Sequence, residues 1–126
     1  KTMGLKGTFQ ITDWQETVEQ EFEKGQKFST ALVQQAYSGD INGNSEVRYK
    51  LYYSENGDAL FNGFETITCD KNDEPVVLTL KHDGKFESGI ASSKFTIVDS
   101  SHECSLIGKS GSFSSIEGGK AIYQIS

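Results

Sequence analysis

The chain has 126 residues and a mass of 13.9 kDa, enough for one hydrophobic core, so we predict a single domain over residues 1–126. Its net charge of -6 counts against general binding to nucleic acid or anionic lipid, because both require excess Lys and Arg. No apolar stretch approaches the roughly 20 residues that cross a bilayer. We therefore predict a cytoplasmic protein with neither a nucleic-acid nor a membrane partner.

The N-terminal third contains two predicted strands and one ambiguous segment. Gly7–Thr12 alternates apolar and polar residues, which is typical of a strand with one buried face. In Asp13–Gly25 an N-cap residue and an apolar repeat of four favour a short helix, but the same residues also alternate as in a strand. Phe28–Tyr37 is the second predicted strand.

The central stretch Glu46–Thr68 is predicted to form a β-hairpin around Asn56-Gly57. Asn-Gly between alternating apolar runs favours a two-residue turn in which both residues take positive φ. Counting outward from that turn gives one mostly apolar face, on which we interpret Tyr49, Tyr53 and Asn62 as wall packing. The same register places two pairs on the other face: Arg48 opposite Glu65, and Tyr52 opposite Phe61.

The C-terminal half gives shorter strand signals. Asp70–Pro75 is predicted to be a loop, and Asp83-Gly84 a second two-residue turn, between the strand Val76–Lys81 and the run Ile90–Val98. The remaining predicted strands are Glu103–Ile107, Gly111–Ser115 and Ala121–Ile125. Turn signals between long strands favour an all-β antiparallel meander, closed into a small barrel of about eight strands.

Several short motifs follow one another along the chain. They are Gly7-Thr8-Phe9, Trp14-x-Glu16, Tyr37-Ser38-Gly39-Asp40-Ile41-x-Gly43, Phe61-x-Gly63-x-Glu65 and His82-x-Gly84-x-Phe86. In this order they resemble the bacterial family known as domain of unknown function 3224. The resemblance implies a calycin-like barrel similar to that of allene oxide cyclase, a cofactor-free plant enzyme, and an extended Asp13–Gly25. It does not imply that enzyme's reaction, since the family has no established activity.

Two carboxylates are the candidate catalytic residues. If the face of Glu65 lines the lumen, burial makes it a candidate acid, base or ligand anchor. If that face points outward, its pair with Arg48 is a surface pair worth roughly 0.2 to 1 kcal/mol. Glu16 either caps a turn or converges with Glu65 near a barrel mouth. The candidate ligand-binding residues are Arg48, Tyr52, Phe61, His82 and Trp14.

The two histidines are interpreted differently. His82 adjoins the predicted Asp83-Gly84 turn, where it is an exposed hairpin residue, a side chain bonded to the backbone, or a proton carrier, a role that suits histidine because its unperturbed pKa lies near neutrality. His102 and Cys104 lie on one side of a predicted strand, but a zinc site usually has three or four protein ligands. We therefore predict neither a metal nor a cofactor, and we interpret Cys69 and Cys104 as reduced thiols.

Three functional hypotheses follow from these residues. The first is binding of one small, mostly apolar molecule in the barrel lumen, oriented by Arg48, Glu65 and Glu16. The second is a cofactor-free isomerase or cyclase in which Glu65 or Glu16 moves a proton. The third is a barrel filled by its own side chains that acts in protein association. A homo-oligomer is compatible with all three.

Overall fold

The protein is a closed antiparallel β-barrel whose eight strands are neighbours in chain order. The computed structural model describes residues 4–71, 74–102 and 104–126. The strands are β1 (Leu5–Glu21), β2 (Lys27–Gly39), β3 (Gly43–Tyr53), β4 (Ala59–Lys71), β5 (Glu74–Glu87), β6 (Ile90–Ser100), β7 (Ser110–Ile116) and β8 (Lys120–Ile125). The all-β barrel prediction is confirmed. None of the described residues form a helix long and apolar enough to cross a membrane.

The core lies in the lumen, because alternate side chains of each strand point inward. In β2 the buried positions are every second residue from Ser29 to Tyr37. The largest fully buried apolar side chains come from six strands: Val33, Val47, Ile67, Leu78, Leu80, Ile97 and Tyr123. Burying one aliphatic side chain of this kind stabilises the fold by about 1.5 to 3 kcal/mol. The barrel is therefore held together mainly by its inward-facing residues.

The segment Asp13–Gly25 is extended as far as Glu21, as the family resemblance implied, and ends in the turn to β2, so the helix prediction is wrong. β1 continues to Glu21 and pairs with β2 along this length. Register shifts between Ile11 and Asp13 and between Val18 and Gln20 disturb the alternation. Such bulges change which face a residue occupies, so a strand acquires an irregular apolar spacing that a four-residue helical repeat can match.

The central hairpin forms as predicted, but its turn is longer than the Asn-Gly signal indicated. Ser54 N–H donates to the Asp58 carbonyl over 2.8 Å, and Gly57 N–H donates to the Ser54 carbonyl over 3.0 Å. Among these described turn residues only Gly57 has a positive φ, of 91°. The loop therefore contains three residues, and the register moves by one position.

This shift separates the two pairs that the sequence placed face to face. Arg48 lies opposite Phe64, and Glu65 lies opposite Val47. Side chains alternate between the two faces of a strand. A slip of one residue between neighbouring strands therefore puts residues that would have shared a face on opposite faces of the sheet. Phe61 and Glu65 point into the lumen, whereas Arg48 and Tyr52 belong to the outer wall. The predicted Arg48–Glu65 pair is wrong.

The turn between β5 and β6 also differs from the prediction. It is formed by Ser88 and Gly89, with φ values of 54° and 83°. Asp83-Gly84 lies inside β5 instead. Gly84 is there because the ring of Phe61 occupies the space of a side chain: a Cβ at this position would lie 2.4 Å from Phe61 Cζ. A glycine in a strand can thus mark close packing as well as a turn.

Two other segments, Glu103–Ile107 and Asp70–Pro75, differ in part from the secondary structure predicted for them. Cys104–Leu106 is a single turn of 3-10 helix, so the strand predicted for Glu103–Ile107 is wrong over these residues, and Glu103 lies outside the described residues. Strands β4 and β5 extend into both ends of the loop predicted for Asp70–Pro75. Its centre, Asn72 and Asp73, lies outside the described residues.

Replacing Gly84 by alanine is expected to destabilise the barrel by about 1 to 3 kcal/mol, as overpacking of a filled core does. The added methyl group would meet both the Phe61 ring and the Ser92 carbonyl, the latter at 2.5 Å. Urea unfolding measures the change, and Asp83→Ala at the exposed neighbouring position is the control. Equal stability of the two variants would contradict the packing role of Gly84.

Candidate functional site

The first part of the site is a buried polar cluster formed by four side chains from β2, β4, β5 and β6. The Tyr37 hydroxyl donates to Glu65 Oε2 over 2.6 Å. His82 Nε2 lies 2.6 Å from Glu65 Oε1, and His82 Nδ1 lies 2.9 Å from Ser93 Oγ. Glu65 is 1% exposed and His82 is equally enclosed. The cluster therefore links four strands through one carboxylate and one imidazole.

The hydrogen bonds of this cluster engage every polar side-chain atom in it. The Ser93 hydroxyl lies within hydrogen-bond distance of both the Lys94 carbonyl, at 3.1 Å, and His82 Nδ1, at 2.9 Å, and the tautomer of His82 sets which side of the latter contact donates. A single proton serves the contact between His82 Nε2 and Glu65 Oε1. Both oxygens of Glu65 are thereby engaged. A buried charge or polar group is tolerated when it is paired in this way.

Ser93, His82 and Glu65 have the composition of a hydrolase triad, but not its accessibility. In a triad the serine oxygen attacks a bound substrate, so it must be reachable from an active-site cleft. Here Ser93 is 4% exposed, and His82 and Glu65 are each 1% exposed. This burial favours a structural role for Ser93 over a nucleophilic one.

Burial and the nearby carboxylate keep two inner tyrosines protonated. Burial is the main cause that raises the pKa of Tyr37 well above its ordinary value, and Glu65 adds to it. Burial, and then Glu65, likewise raise the pKa of Tyr49. Both phenols therefore keep their protons at neutral pH, and Tyr37 donates its own to Glu65.

The second part of the site surrounds Glu16 on β1. Trp14 Nε1 donates to Glu16 Oε1 over 2.9 Å. Glu16 Oε2 accepts from Tyr53 over 2.8 Å and from Ser29 over 2.5 Å. Burial opposes ionisation, but the hydrogen bonds from Ser29, Tyr53 and Trp14 and the charge of Lys27 leave the pKa of Glu16 below its usual range. Glu16 and Glu65 share no hydrogen-bond partner among the described residues, so they form separate clusters.

Replacing Glu16 by glutamine is expected to lower the melting temperature more at about pH 7 than at about pH 3. A carboxyl group whose pKa falls on folding stabilises the protein above its unfolded-state value of 4.5. That contribution is lost as the pH falls through the folded-state pKa. Thermal unfolding of both proteins at the two pH values measures the difference. An effect of the substitution that does not depend on pH would contradict ionisation of Glu16.

The third part of the site is a cavity of about 210 Å³ in the lumen, partly open to solvent where the exposed side chains of Trp14 and Phe86 border it. Its wall is mostly aromatic and aliphatic, with a few polar atoms, and consists of Ile11, Trp14, Gln35, Tyr49, Leu51, Tyr53, Ala59, Phe61, Phe86, Ala91, Phe113 and Ser115. Trp14 and Tyr53 connect this wall to Glu16 through their polar ends. Tyr49 packs edge-on against both Phe61 and His82, which connects the wall to the buried cluster.

The structure divides the seven predicted site residues into three groups. Phe61 and Trp14 line the cavity, while Glu65, His82 and Glu16 belong to the two polar clusters beside it. The position predicted for Arg48 and Tyr52, on the same face as Glu65, is corrected, because the register shift puts both on the outer wall. There Arg48 pairs with Glu46 at 2.5 Å, and its side chain is 70% exposed. Tyr52 packs on Phe28 with ring centroids 5.2 Å apart.

Sequence reasoning missed several residues of the site. Tyr37 and Ser93 complete the buried cluster, and Gln35 and Phe113 line the cavity. The alternation of β2 places Gln35 and Tyr37 among buried neighbours, which was the available signal. Tyr49 and Tyr53, interpreted as packing, also line the cavity, whereas Asn62 is exposed.

A wider groove of about 880 Å³ lies along the outer wall of β1 to β5. Outward side chains such as Arg48, Lys50, Phe64 and Lys81 contribute to it. It differs from the lumen cavity in being bordered by charged residues. Among the described residues no group of three or more His, Cys, Asp or Glu side chains could hold a metal ion.

Comparison with known proteins gives a family and a fold. A family described as "Protein of unknown function (DUF3224)" matches residues 5–126. The crystal structure of a protein of unknown function from the DUF3224 family of Shewanella oneidensis MR-1 superposes with a TM-score of 0.69 at 20% sequence identity, covering 100% of this chain and 96% of that chain. No curated protein matches the chain.

Proposed function

The chain belongs to the DUF3224 family of proteins of unknown function, and we propose that it binds one small, mostly apolar molecule inside its barrel. The observation that carries this proposal is the lumen cavity of about 210 Å³ with its aromatic wall. Ligand sites are typically concave and apolar, with a few polar groups that orient the ligand. The mouths of β-barrels are among the places where such sites occur.

The size of the cavity limits the size of the ligand. An engineered apolar cavity of about 150 Å³ in another protein binds benzene, so the present volume of about 210 Å³ suits a single substituted ring or a short branched chain. Typical pockets for drug-sized molecules are larger, at roughly 300 to 1,000 Å³. Open space of this size also counts against a lumen filled entirely by its own side chains.

Catalysis by Glu65 or Glu16 has less support than binding. Neither carboxylate belongs to the cavity wall. Both oxygens of Glu65 are occupied by Tyr37 and His82, and Glu16 already accepts three hydrogen bonds. A general base must come within hydrogen-bond reach of the proton it removes. We therefore propose a binding function and not a catalytic one.

Titration with ethylbenzene, followed by NMR of the isotopically labelled protein, tests this proposal. We expect saturable shifts at the methyl groups of Ala59 and Ala91, which line the cavity. Residues of the outer wall such as Phe64 and Lys81 should keep their shifts. Absence of saturable changes, or changes confined to the outer wall, would contradict binding in the lumen.

A further inference from the structure

The polar groups of the cavity wall show which ligand chemistry it can accommodate. Trp14 and Tyr53 already donate to Glu16. The Gln35 side-chain carbonyl accepts from Ser45 over 3.3 Å, which leaves its amide N–H groups without a partner among the described residues. The Ser115 hydroxyl accepts from Ala91 N–H over 2.8 Å and keeps its own proton available.

Tyr49 is the most informative of these wall residues. It is 5% exposed and lines the cavity, but its hydroxyl has no hydrogen-bond partner among the described residues. Ser100 Oγ is the one fully enclosed side-chain polar atom of the described residues that lacks a partner, so the Tyr49 hydroxyl must reach open space. Buried polar groups are nearly always hydrogen-bonded, and phenylalanine would fill the same place without a hydroxyl to satisfy.

The charges around the cavity act against an anionic ligand. Among the described residues that line the cavity there is no Lys, Arg or His. The ionisable side chains connected to it are Glu16, through Trp14 and Tyr53, and the Glu65–His82 pair, through Tyr49. The ammonium of Lys27 lies over the Tyr53 ring, 4.6 Å from its centre, but its charge already acts on Glu16. A carboxylate brought into this space would leave water without gaining a cation.

We propose that the cavity selects an uncharged, ring-sized molecule that carries one hydrogen-bond acceptor, such as a ketone or aldehyde oxygen, to which the Tyr49 hydroxyl donates. The Gln35 amide is the second donor on the same wall. This inference rests on the proposed function and specifies the chemistry of its ligand. A ketone oxygen accepts without needing to donate, which matches a wall whose free groups are donors.

Three probes of similar shape test the ligand chemistry: ethylbenzene, acetophenone and benzoate. They separate the contribution of the apolar ring to affinity from that of a hydrogen-bond acceptor and from that of a negative charge. One net hydrogen bond of about 0.5 to 1.5 kcal/mol corresponds to a two- to tenfold change in affinity. We therefore expect acetophenone to bind about two- to tenfold more tightly than ethylbenzene, and benzoate to bind much more weakly than either. Dissociation constants from NMR titration or calorimetry at one temperature provide the comparison.

Tyr49→Phe and Gln35→Met are the test variants. The Tyr49 hydroxyl makes no hydrogen bond to the described protein, so Tyr49→Phe should fold normally. We expect it to remove most of the preference for acetophenone over ethylbenzene, and Gln35→Met to reduce the same preference. Control variant Tyr52→Phe, on the outer wall, should behave as the unmodified protein.

The outcomes distinguish failure of this inference from failure of the proposed function. Equal affinity for acetophenone and ethylbenzene, or a preference that survives in Tyr49→Phe, would overturn the role of Tyr49 while leaving lumen binding intact. Tighter binding of benzoate would overturn the exclusion of anions. If none of the three probes binds, lumen binding itself fails.

Discussion

Replacing Glu65 by alanine should lower the free energy of unfolding by about 2 to 6 kcal/mol, because each of the two buried groups that lose a hydrogen-bond partner costs about 1 to 3 kcal/mol. The substitution leaves His82 Nε2 and the Tyr37 hydroxyl without their shared partner in a closed interior. His82 and Glu65 side chains are 0% and 1% exposed, so water does not replace the lost contacts. Urea unfolding followed by fluorescence measures the change.

Two further variants show whether the loss of stability in Glu65→Ala comes from its buried hydrogen bonds or from the removal of a charge. Glu65→Gln should be milder than Glu65→Ala, because the glutamine carbonyl can accept from Tyr37 and its amide can donate to His82 Nε2. Arg48→Ala should leave the melting temperature unchanged, since Arg48 lies outside and pairs only with Glu46 among the described residues. Equal destabilisation by Glu65→Ala and Arg48→Ala would contradict the buried cluster.

Replacing Ala91 by phenylalanine is expected to abolish ethylbenzene binding while the barrel remains folded. Ala91 is half-buried on β6 and belongs to the cavity wall. A ring at this position projects toward the lumen and occupies much of the volume of about 210 Å³. Because the position is not fully enclosed, the new side chain can adjust without the full cost of overpacking.

Ser92→Phe is the control for Ala91→Phe. Ser92 adjoins Ala91, and its side chain belongs to a groove on the outer wall together with Lys85 and Lys94. A ring there adds the same apolar surface without entering the lumen, so ethylbenzene affinity should be unchanged. If Ala91→Phe binds ethylbenzene as the unmodified protein does, the ligand occupies some other place.

The fold was largely predictable because it repeats one local rule. Alternation along Phe28–Tyr37 and around Asn56-Gly57 indicated long antiparallel strands, and these strands are present. Loop length was harder to predict, since Asn56-Gly57 fits both a two-residue turn and the three-residue loop that forms. That difference of one residue decided whether Arg48 or Val47 faces Glu65.

Individual residues of the candidate site could be predicted from their chemistry, but the contacts between them could not, because those contacts depend on strand register. Glu65 and His82 were recognised as individual candidates, but their contact joins β4 to β5, and the predicted Asp83-Gly84 turn placed His82 at an exposed end. Their partner Ser93 comes from β6, a third strand, at a position without a distinctive neighbour in the sequence. Clusters that cross several strands require every register to be known, which local patterns do not provide.

The most direct measurement is a crystal structure of the protein grown or soaked with acetophenone. We predict density for one molecule in the lumen among Leu51, Phe61 and Phe113, with its oxygen in hydrogen-bond reach of the Tyr49 hydroxyl. A lumen that stays empty at saturating acetophenone, or density found only in the outer groove beside Arg48 and Phe64, would contradict lumen binding.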